Sequence, residues 1–416
     1  MDLRKKLKKY MNGLVDRGND LKLNKKFILA FMTFFIFVAQ PEGASKNKNE
    51  IKSRVMKEYD NKIPENIVSD IKYHGKDLPE LLDYVFIKTK VGNIRKFPSG
   101  SSEIIYQLPF NEKLQVLQKI GYEGNKQFWY KVKTPNGIGY ISSVYCEERT
   151  FQFEKMLGRI KDVENFINEN NAAGVEVAST NSYVPNPYNK DMLRKKDKYG
   201  TSLDQNIIGK YNDENIYVPD RSVLSIISQT KDKAEVRVEG IKEYPLVIEK
   251  KYISRRPVVS EGFKKAIVAD IDNQNLAAFE KINGTWVLIS YIYGKTGIES
   301  ILGFETPRGS FIVPLLKYEM GYRGNYGEDL GIARYAIRFS GGGYLHGTPV
   351  DHVEIPNKEF FLNQKEEGLG TFKGTRKCIR NTEEHAKFLF DWILGDKRNV
   401  NSNDQIPKEN VMFIIF

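Results

Sequence analysis

Apolar and polar positions alternate in short runs along most of this chain, and short alternating runs bounded by turn residues are typical of β-strands. Between residues 84 and 146, such runs predict a small β-barrel with strands at 84–87, 104–107, 113–118, 129–132 and 139–142. Further runs predict strands at 215–218, 223–227, 234–238 and 245–253. The pattern therefore predicts a small barrel followed by a second β-rich module.

From residue 263 onward the runs lengthen, which predicts the antiparallel hairpins of a larger domain. The expected strands are 266–271, 276–281 and 285–293. Apolar residues recur at helical spacing in 151–169 and in 383–392, where Asn381 can serve as the N-cap and Glu384 follows three residues later. The predicted fold class is mainly β, with a few helices.

Changes in composition between these runs divide the chain into segments. A charged stretch interrupted by Pro64 and Pro79 is expected to be a spacer with one or two small helices, and a later stretch rich in Asn, Lys, Ser and Pro is expected to be a flexible linker. The predicted segments are an N-terminal targeting segment (1–44), the charged spacer (45–83), the first β module (84–147), a helix with the linker (148–200), the second β module (201–262) and the large C-terminal domain (263–416).

The N-terminus carries an apolar run, 27–39, directly after a lysine-rich lead. This run is too short for an ordinary membrane span and suits the apolar region of a signal sequence. We expect either a cleaved signal peptide or an uncleaved signal anchor within 1–44. Either would place the bulk of the protein in the cell envelope, outside the cytoplasm, with membrane contact only through this segment.

Charge and rare residue types narrow the function classes. The 416 residues carry a formal net charge of +11, which indicates acidic partners such as nucleic acid, anionic lipid or an acidic envelope polymer. The two cysteines give no disulfide framework and too few ligands for a cysteine-rich zinc site, and the four histidines show no metal-binding spacing. We therefore expect no metal.

One of the two cysteines, Cys378, lies just before the predicted C-terminal helix. A helix N-terminus carries partial positive charge, and Arg376, Lys377 and Arg380 add full charges, so the thiolate should be favoured over the thiol. A thiolate is a nucleophile. A disulfide with Cys146 would consume it.

A cysteine nucleophile needs a base within hydrogen-bond reach. His74 lies in the spacer, and His385 would lie about 10 Å along a continuous helix from Cys378. His352 follows a predicted turn, whereas His346 ends a β-like run before a Gly-Thr-Pro turn. We favour His346 as the base, and the alternative is a hydrogen-bonded core histidine.

Three motifs carry a resemblance to a known family: Thr306-Pro307-Arg308-Gly309-Ser310-Phe311, His346-Gly347-Thr348-Pro349 and Gly374-Thr375-Arg376-Lys377-Cys378-Ile379-Arg380-Asn381. Together they resemble the L,D-transpeptidase catalytic domain of the YkuD family over about 264–416. The resemblance implies a β-sandwich with a short helix after the cysteine. It also implies that Cys378 accepts the acyl group, that His346 is its base, and that the carbonyl of Gly342 or Gly343 orients the imidazole.

The first β module resembles a bacterial SH3 domain. The residues that carry this resemblance are Asn93-Ile94-Arg95, Trp129-Tyr130-Lys131-Val132 and Gly137-Ile138-Gly139-Tyr140-Ile141. It implies either a wall-binding or positioning module or a spacer barrel without a ligand. The second β module is expected to be either a further SH3-like barrel or a β-rich connector.

The chain departs from the family at Thr375-Arg376-Lys377, where Ser-His-Gly is common, and its longer gap from His346 to Cys378 implies an inserted loop at 353–372. We expect the backbone amides of Lys377 and Cys378 to form an oxyanion hole. Arg376 and Arg380 are predicted to hold substrate carboxylates, or Arg380 to form a structural salt bridge. The remaining predicted substrate-binding residues are Thr375, Gly347 and Thr348.

The function implied by the resemblance is a two-step acyl transfer on peptidoglycan. Cys378 forms a thioester with a tetrapeptide stem, and an amine of a neighbouring stem then attacks it to make a 3→3 cross-link. The implied partners are stem peptides, with a carbapenem as a possible covalent inhibitor and with no nucleic acid or cofactor. Two alternatives stay open: a carboxypeptidase that uses water as acceptor, and a non-catalytic wall-binding scaffold.

Overall fold

A computed structural model describes residues 53–122, 127–182, 206–300, 303–323, 328–352, 358–396, 399 and 401–416. The predicted targeting segment and most of the predicted flexible linker lie outside these residues. None of the helices in these ranges is long and apolar enough to cross a membrane. The same ranges contain no group of histidine, cysteine and acidic side chains that could hold a metal ion.

The first β module forms one sheet in the order β4-β3-β7-β6-β5-β2-β8, with β1 paired to β5. Its strands are β1 (Ser53–Glu58), β2 (Asp83–Ile87), β3 (Val91–Arg95), β4 (Ile104–Pro109), β5 (Lys113–Tyr122), β6 (Trp129–Thr134), β7 (Gly137–Ser142) and β8 (Cys146–Thr150). The five strands predicted here are confirmed, and β1, β3 and β8 are additional. Alternate residues such as Val85, Val116 and Ile141 point inward and form the core of this module.

The predicted helix at 151–169 is confirmed as α1 (Phe153–Ala172). Its buried residues recur at intervals of three to four positions, and they are Phe153, Met156, Ile160, Val163, Phe166 and Ile167. This apolar face packs against strands of the C-terminal domain, so α1 joins the modules through one shared core.

A second sheet follows α1, in the order β11-β10-β14-β13-β12-β9-β15. Its strands are β9 (Glu176–Thr180), β10 (Asn206–Tyr211), β11 (Glu214–Pro219), β12 (Val223–Gln229), β13 (Lys233–Val238), β14 (Leu246–Glu249) and β15 (Ile253–Ser254). Short 3-10 helices occupy Lys250–Tyr252 and Val259–Glu261. Strand β9 lies inside the segment predicted as linker, because its buried Val177 and Ala178 complete the core beside β12.

The C-terminal domain contains two sheets. The first has the order β18-β17-β16-β26-β19, and the second has the order β24-β22-β21-β20-β25 with β23 paired to β21. The strands are β16 (Lys265–Asp270), β17 (Asn275–Ile282), β18 (Thr285–Tyr293), β19 (Gly309–Ile312), β20 (Leu316–Arg323), β21 (Asp329–Ser340), β22 (Gly343–His346), β23 (Val350–Asp351), β24 (Ile379–Arg380), β25 (Asp404–Gln405) and β26 (Val411–Ile415). The predicted hairpin strands at 266–271, 276–281 and 285–293 are thereby confirmed.

Side chains from both sheets share a core with α3 (Glu383–Leu394), the helix predicted at 383–392. Ile289 contributes from the first sheet, Phe339 from the second and Leu389 from the helix. The protein therefore has the predicted mainly β fold, with a two-sheet C-terminal domain and a helix after the cysteine.

The N-cap of α3 differs from the prediction. Thr382 has an extended backbone, and its side chain accepts a hydrogen bond from the backbone N–H of His385 at 3.4 Å. Asn381 instead binds the His385 ring, with its Nδ2 2.8 Å from Nδ1. The N-cap is therefore one residue later than predicted, because the buried Asn381 side chain already binds the His385 ring.

The predicted spacer contains no helix between residues 53 and 82. Its apolar residues run instead along β18, which is an edge strand of its sheet, and Asp70 N–H donates to Leu288 O at 2.9 Å. Strand β1 pairs antiparallel with residues 118–122 of β5, beyond the part of β5 that pairs with β2. Unpaired strand edges offer hydrogen bonds that a short charged segment can satisfy without a helix.

The predicted inserted loop contains a helix that the sequence pattern did not indicate, α2 (Lys358–Glu367). Residues 353–357 lie outside the described part of the chain. After α2, residues 368–377 lead directly into Cys378.

Candidate active site

Parallel pairing of β22 with β24 brings Cys378 and His346 together. Leu345 is paired with Ile379, and His346 is paired with Arg380. Side chains alternate along a strand, so His346, Arg380 and Cys378 lie on the same face of this pair. Residues that are distant in the sequence therefore meet in one short two-strand ladder.

The ring of His346 is buried and held by the neighbouring carbonyl. Its Nδ1 lies 2.7 Å from the carbonyl oxygen of Gly347, which can only accept, so Nδ1 carries the proton and Nε2 is left as an acceptor. Burial, with a smaller contribution from the charge of Arg380, lowers the pKa of His346 to about 4, although the Gly347 carbonyl acts in the opposite direction. The imidazole is therefore neutral near pH 7 and can take up a proton.

The orienting carbonyl is thus not the one predicted. The expectation of Gly342 or Gly343 is wrong, because the partner of His346 Nδ1 is the carbonyl oxygen of Gly347, the next residue along the chain. The carbonyl oxygen of Gly342 instead accepts a hydrogen bond from Cys378 Sγ at 3.9 Å.

Cys378 is a partly exposed free thiol, and Cys146 is free and buried, so no disulfide joins them. Burial raises the pKa of the Cys146 thiol, which makes it a poor nucleophile. The predicted helix N-terminus does not adjoin Cys378, because β24 intervenes and α3 begins at Glu383. The charge that does reach the sulfur is that of Arg380.

Two hydroxyl groups shape the turn that carries Cys378. Thr375 Oγ1 donates to the carbonyl of Cys378, and Thr306 Oγ1 donates to the carbonyl of Lys377 at 2.7 Å. In a trans peptide the C=O and the following N–H point in opposite directions. Because the Lys377 carbonyl points to the buried Thr306, the N–H of Cys378 points away from it.

Lys377 has an unusual backbone for its residue type, with φ of 95°. The turn thus requires the positive φ that favours glycine, the residue common at this position in the family that the motif resembles. Its side chain is 1% exposed, and the ammonium donates to the carbonyl of Gly341. Lys377 therefore fastens the nucleophile turn to the loop that carries Gly342.

Three of the predicted substrate-binding residues are buried in the framework of the site. A Cβ on Gly347 would meet Glu383 Cα at 2.8 Å, so glycine permits α3 to approach β22. Thr348 is 2% exposed, and its Oγ1 donates to Asn381 O at 3.3 Å. Thr375 is also buried.

Arg376 is half-buried and lies over Gly303, where a Cβ would be 3.1 Å from its Cα. Arg380 is largely buried and faces Cys378 and His346. The alternative of a structural salt bridge is not found, because Arg380 forms no ion pair with any residue that the structure describes, and its buried Nε has no hydrogen-bond partner.

The sequence analysis missed Lys295. Its backbone pairs with that of Arg380, with N–H···O distances of 2.8 and 2.9 Å in the two directions. A signal was present in the sequence: Lys295 lies two residues after the end of the buried hairpin strand β18, between Gly294 and Gly297.

The side chains of His385 and His352 contact residues other than Cys378. His385 is completely buried, and its ring binds Asn381 Nδ2 and, at 3.2 Å, Ser290 Oγ. The side chain of His352 is 53% exposed and lies 3.6 Å from Asp329.

The first β module packs on the segment that leads into Cys378. Tyr84 Oη donates to Gly370 O at 2.7 Å, and Arg149 Nη2 donates to Thr371 O at 3.1 Å, both in buried positions. The Phe372 ring is the centre of an aromatic cluster, and its partners are Phe86 at 4.9 Å and Phe110 at 5.6 Å. The module is therefore part of the surroundings of the site.

Two sequence families match the chain. Residues 90–147 match the bacterial SH3 domain, and residues 264–402 match the L,D-transpeptidase catalytic domain known as YkuD. No curated protein sequence matches it.

Solved structures with some similarity include a fused Zn-dependent amidase, peptidase and peptidoglycan-binding domain-containing protein from Clostridium acetobutylicum, with 18% identity, a TM-score of 0.23 and coverage of 37% of this chain and 52% of that chain. An L,D-transpeptidase from Stackebrandtia nassauensis has 15% identity and a TM-score of 0.24, over 37% of this chain and 56% of that one. An L,D-transpeptidase from Mycobacterium smegmatis has 12% identity and a TM-score of 0.26, over 73% of this chain and 99% of that one.

The chain thus spans about half the length of the first two of these structures. These TM-scores are low, so the family is identified from the two sequence matches and the residues that they cover. Residues 264–402 form a catalytic domain of the YkuD L,D-transpeptidase family, and a bacterial SH3 domain precedes it.

Proposed function

We propose that this protein is a peptidoglycan L,D-transpeptidase in which Cys378 forms a thioester with a donor stem peptide and His346 carries the proton. The observation that carries the proposal is the β22–β24 pairing, which sets a free thiol and a neutral imidazole on one face. The hydrogen bond from His346 Nδ1 to Gly347 leaves Nε2 as the proton acceptor that such a step needs.

In the first step the thiol of Cys378 gives its proton to His346 Nε2, and the sulfur attacks the carbonyl carbon of the third residue of a tetrapeptide stem. The carbonyl oxygen becomes an oxyanion. The C–N bond to the terminal D-alanine then breaks, and His346 returns the proton to the leaving amine. A thioester on Cys378 remains.

We assign the oxyanion hole to the backbone amides of Lys377 and Cys378. The direction of the Cys378 N–H, away from the buried Thr306 that holds the Lys377 carbonyl, supports this assignment. Backbone donors that are fixed before the reaction stabilise a developing charge without reorganisation.

In the second step the side-chain amine of a diamino acid on a neighbouring stem loses a proton to His346 and attacks the thioester carbon. The C–S bond breaks, and Cys378 recovers its proton. The product is a 3→3 cross-link. Each step uses only thiol, imidazole and backbone amides, so the proposal needs no metal or organic cofactor.

We also propose that the protein works in the bacterial cell envelope, where its polymer substrate lies. The lysine-rich lead and the apolar run at 27–39 support export. Carbapenems, which carry a reactive acyl group, should acylate the same sulfur.

The experiment is an intact-mass measurement on the protein incubated with a tetrapeptide stem or with a carbapenem. We expect an adduct of the corresponding acyl mass, and we expect none with Cys378→Ala. His346→Ala should suppress acylation and leave the thermal unfolding midpoint close to that of the parent. If neither donor forms an adduct with the parent protein, the enzymatic proposal is overturned. Normal acylation of His346→Ala would show that another residue is the base, with His352 as the next candidate.

A second measurement identifies the acceptor. With two stems present, a cross-linked dimer is the expected product. A shortened monomer alone would instead assign the protein as a carboxypeptidase.

A further inference from the structure

Two cations stand side by side next to the proposed nucleophile. The backbones of Lys295 and Arg380 form a reciprocal antiparallel bridge, with hydrogen bonds of 2.8 and 2.9 Å. Residues directly opposite in such a pair have Cβ atoms about 5 Å apart on the same face. The side chains of Lys295 and Arg380 therefore start together, on the face that also carries Cys378 and His346.

Neither cation is neutralised within the ranges that the structure describes. Lys295 and Arg380 take part in no ion pair there, and Arg380 Nε is buried without a hydrogen-bond partner. The carboxylates whose charge reaches Arg380 are those of Asp351 and Glu366, and Asp351 is bound to Lys365 at 3.1 Å. Two unpaired, partly buried cations are costly to hold unless an anion joins them.

The surroundings leave room for an extended lysine. A Cβ on Gly374 would meet Lys295 Cε at 2.8 Å, and a Cβ on Gly368 would meet its Nζ at 3.2 Å. Gly374 belongs to the segment that leads into Cys378. The two glycines thus leave space for the extended side chain of Lys295, whose ammonium lies beside this segment.

Titration behaviour agrees with this geometry. Burial lowers the pKa of Lys295, and the charge of Arg380 lowers it further. Burial also lowers the pKa of Arg380. Both groups are therefore poorly solvated cations that a bound carboxylate would stabilise.

We propose that Lys295 and Arg380 form a carboxylate-binding subsite that receives the free carboxylate of the terminal donor residue, the residue that leaves during acylation. This inference rests on the proposed function. That carboxylate lies one residue beyond the attacked carbonyl, roughly 3.6 Å along an extended chain. Arg380 lies two residues from Cys378 on the same face, so its guanidinium can reach this position while the sulfur attacks.

The subsite would select donors that end at the leaving residue. A peptide with a blocked or extended C-terminus would place no charge between the two cations. The carboxylate of an isoglutamyl residue elsewhere in the stem has the same chemistry and is the competing source of the anion.

The test compares acylation rates, followed by intact mass, for three donors: the tetrapeptide, its C-terminal carboxamide and the tetrapeptide with only the isoglutamyl carboxylate amidated. We expect the parent protein to react about tenfold or more slowly with the C-terminal carboxamide, as for the loss of a charge-assisted hydrogen bond. Lys295→Met should lower the rate of acylation by the tetrapeptide by about the same factor and leave the rate of acylation by the C-terminal carboxamide unchanged.

Two further variants complete the test. Lys295→Arg keeps the charge and should restore most of the preference for the free carboxylate. Lys373→Met is the matched control, because Lys373 lies in the same segment as Gly374 but is paired with Glu305 at 3.3 Å. This variant should prefer the free carboxylate over the carboxamide as strongly as the parent protein does.

Equal rates with the acid and the C-terminal carboxamide, in the parent and in Lys295→Met alike, would overturn the subsite and leave the proposed function intact. Loss of rate only with the isoglutamyl-amidated donor would overturn the assignment to the terminal carboxylate. Failure of the parent protein to react with any donor, including a carbapenem, would be a failure of the proposed function itself.

Discussion

Lys377 makes two opposing contributions to the stability of the folded protein, one from its backbone and one from its side chain. Its φ of 95° is a conformation in which a non-glycine residue costs about 1–3 kcal/mol. Its buried ammonium, however, donates to Gly341 O, and a hydrogen bond of this charged kind contributes about 1.5–3 kcal/mol. The side chain therefore offsets the strain that its own Cβ creates, and it holds the Gly342 loop against the cysteine turn.

This balance predicts an unusual order of stability. Lys377→Ala keeps the strain and loses the ammonium, whereas Lys377→Gly loses both. We expect the glycine variant to be more stable than the alanine variant by about 1 kcal/mol or more, measured by chemical denaturation.

The matched control is Lys387 in α3, whose exposed side chain pairs with Asp391. There the order should be reversed, with alanine more stable than glycine by about 1 kcal/mol, because the site is helical. Greater stability of Lys377→Ala than of Lys377→Gly would contradict the strain argument.

At the scale of elements, α3 is fastened to the sheets by a histidine rather than by apolar contacts alone. His385 links Asn381, beside the cysteine segment, to Ser290 in β18, and Tyr73 of the former spacer packs edge-on against its ring. Burial lowers the pKa of His385 to about 3. The ring is therefore neutral in the folded protein at pH values well above 3.

This burial predicts a pH-dependent stability. Between about pH 6.5, the ordinary value for histidine, and pH 3, the unfolded chain binds a proton on His385 that the folded protein does not. The free energy of unfolding should consequently fall as the pH is lowered through this window, by up to about 1.4 kcal/mol per pH unit for this group.

Chemical denaturation at pH 7, 6, 5 and 4 measures the slope. His385→Gln, which cannot titrate, should have a shallower slope than the parent. Parallel curves for the parent and His385→Gln would show that the histidine does not contribute.

At the scale of the whole molecule, the described residues from 53 onward form one compact unit, in which the first β module packs against the segment that leads to Cys378. Tyr84 and Arg149 of this module bind the carbonyls of Gly370 and Thr371, and Gly370 has φ of 74°, where a Cβ would also meet Tyr84 Oη at 2.5 Å. The module thus holds the end of the inserted segment after α2. A positioning role follows from these contacts, and wall binding by the SH3 domain within the module, residues 90–147, stays a prediction.

Removal of one buried hydroxyl tests this role. Tyr84→Phe should increase amide hydrogen exchange in residues 368–374 and slow acylation of Cys378, because the Gly370 carbonyl loses its donor. Tyr122→Phe removes a comparable bond inside the SH3 domain, from Oη to Pro98 O at 2.8 Å, and should do neither. Equal effects of the two variants on acylation would contradict a positioning role.

The strands of each module and the rare cysteine could be predicted from the sequence, because alternation and residue type are local properties that each segment carries by itself. The first β module, α1, the hairpins from β16 to β18, and α3 were all predicted in this way. The small helices predicted in the spacer are wrong for residues 53–82, since charged composition does not reveal that an edge strand elsewhere will pair with this segment.

The tertiary structure alone decided how the site is assembled. Pairing of β24 with β22 moved Cys378 away from the helix N-terminus and beside His346, and the turn imposed a positive φ on Lys377. A separate antiparallel bridge set Lys295 against Arg380, although the two are far apart in the sequence. Which strands pair, and which buried charges lack a partner, depends on contacts between distant segments, and these contacts exist only in the folded chain.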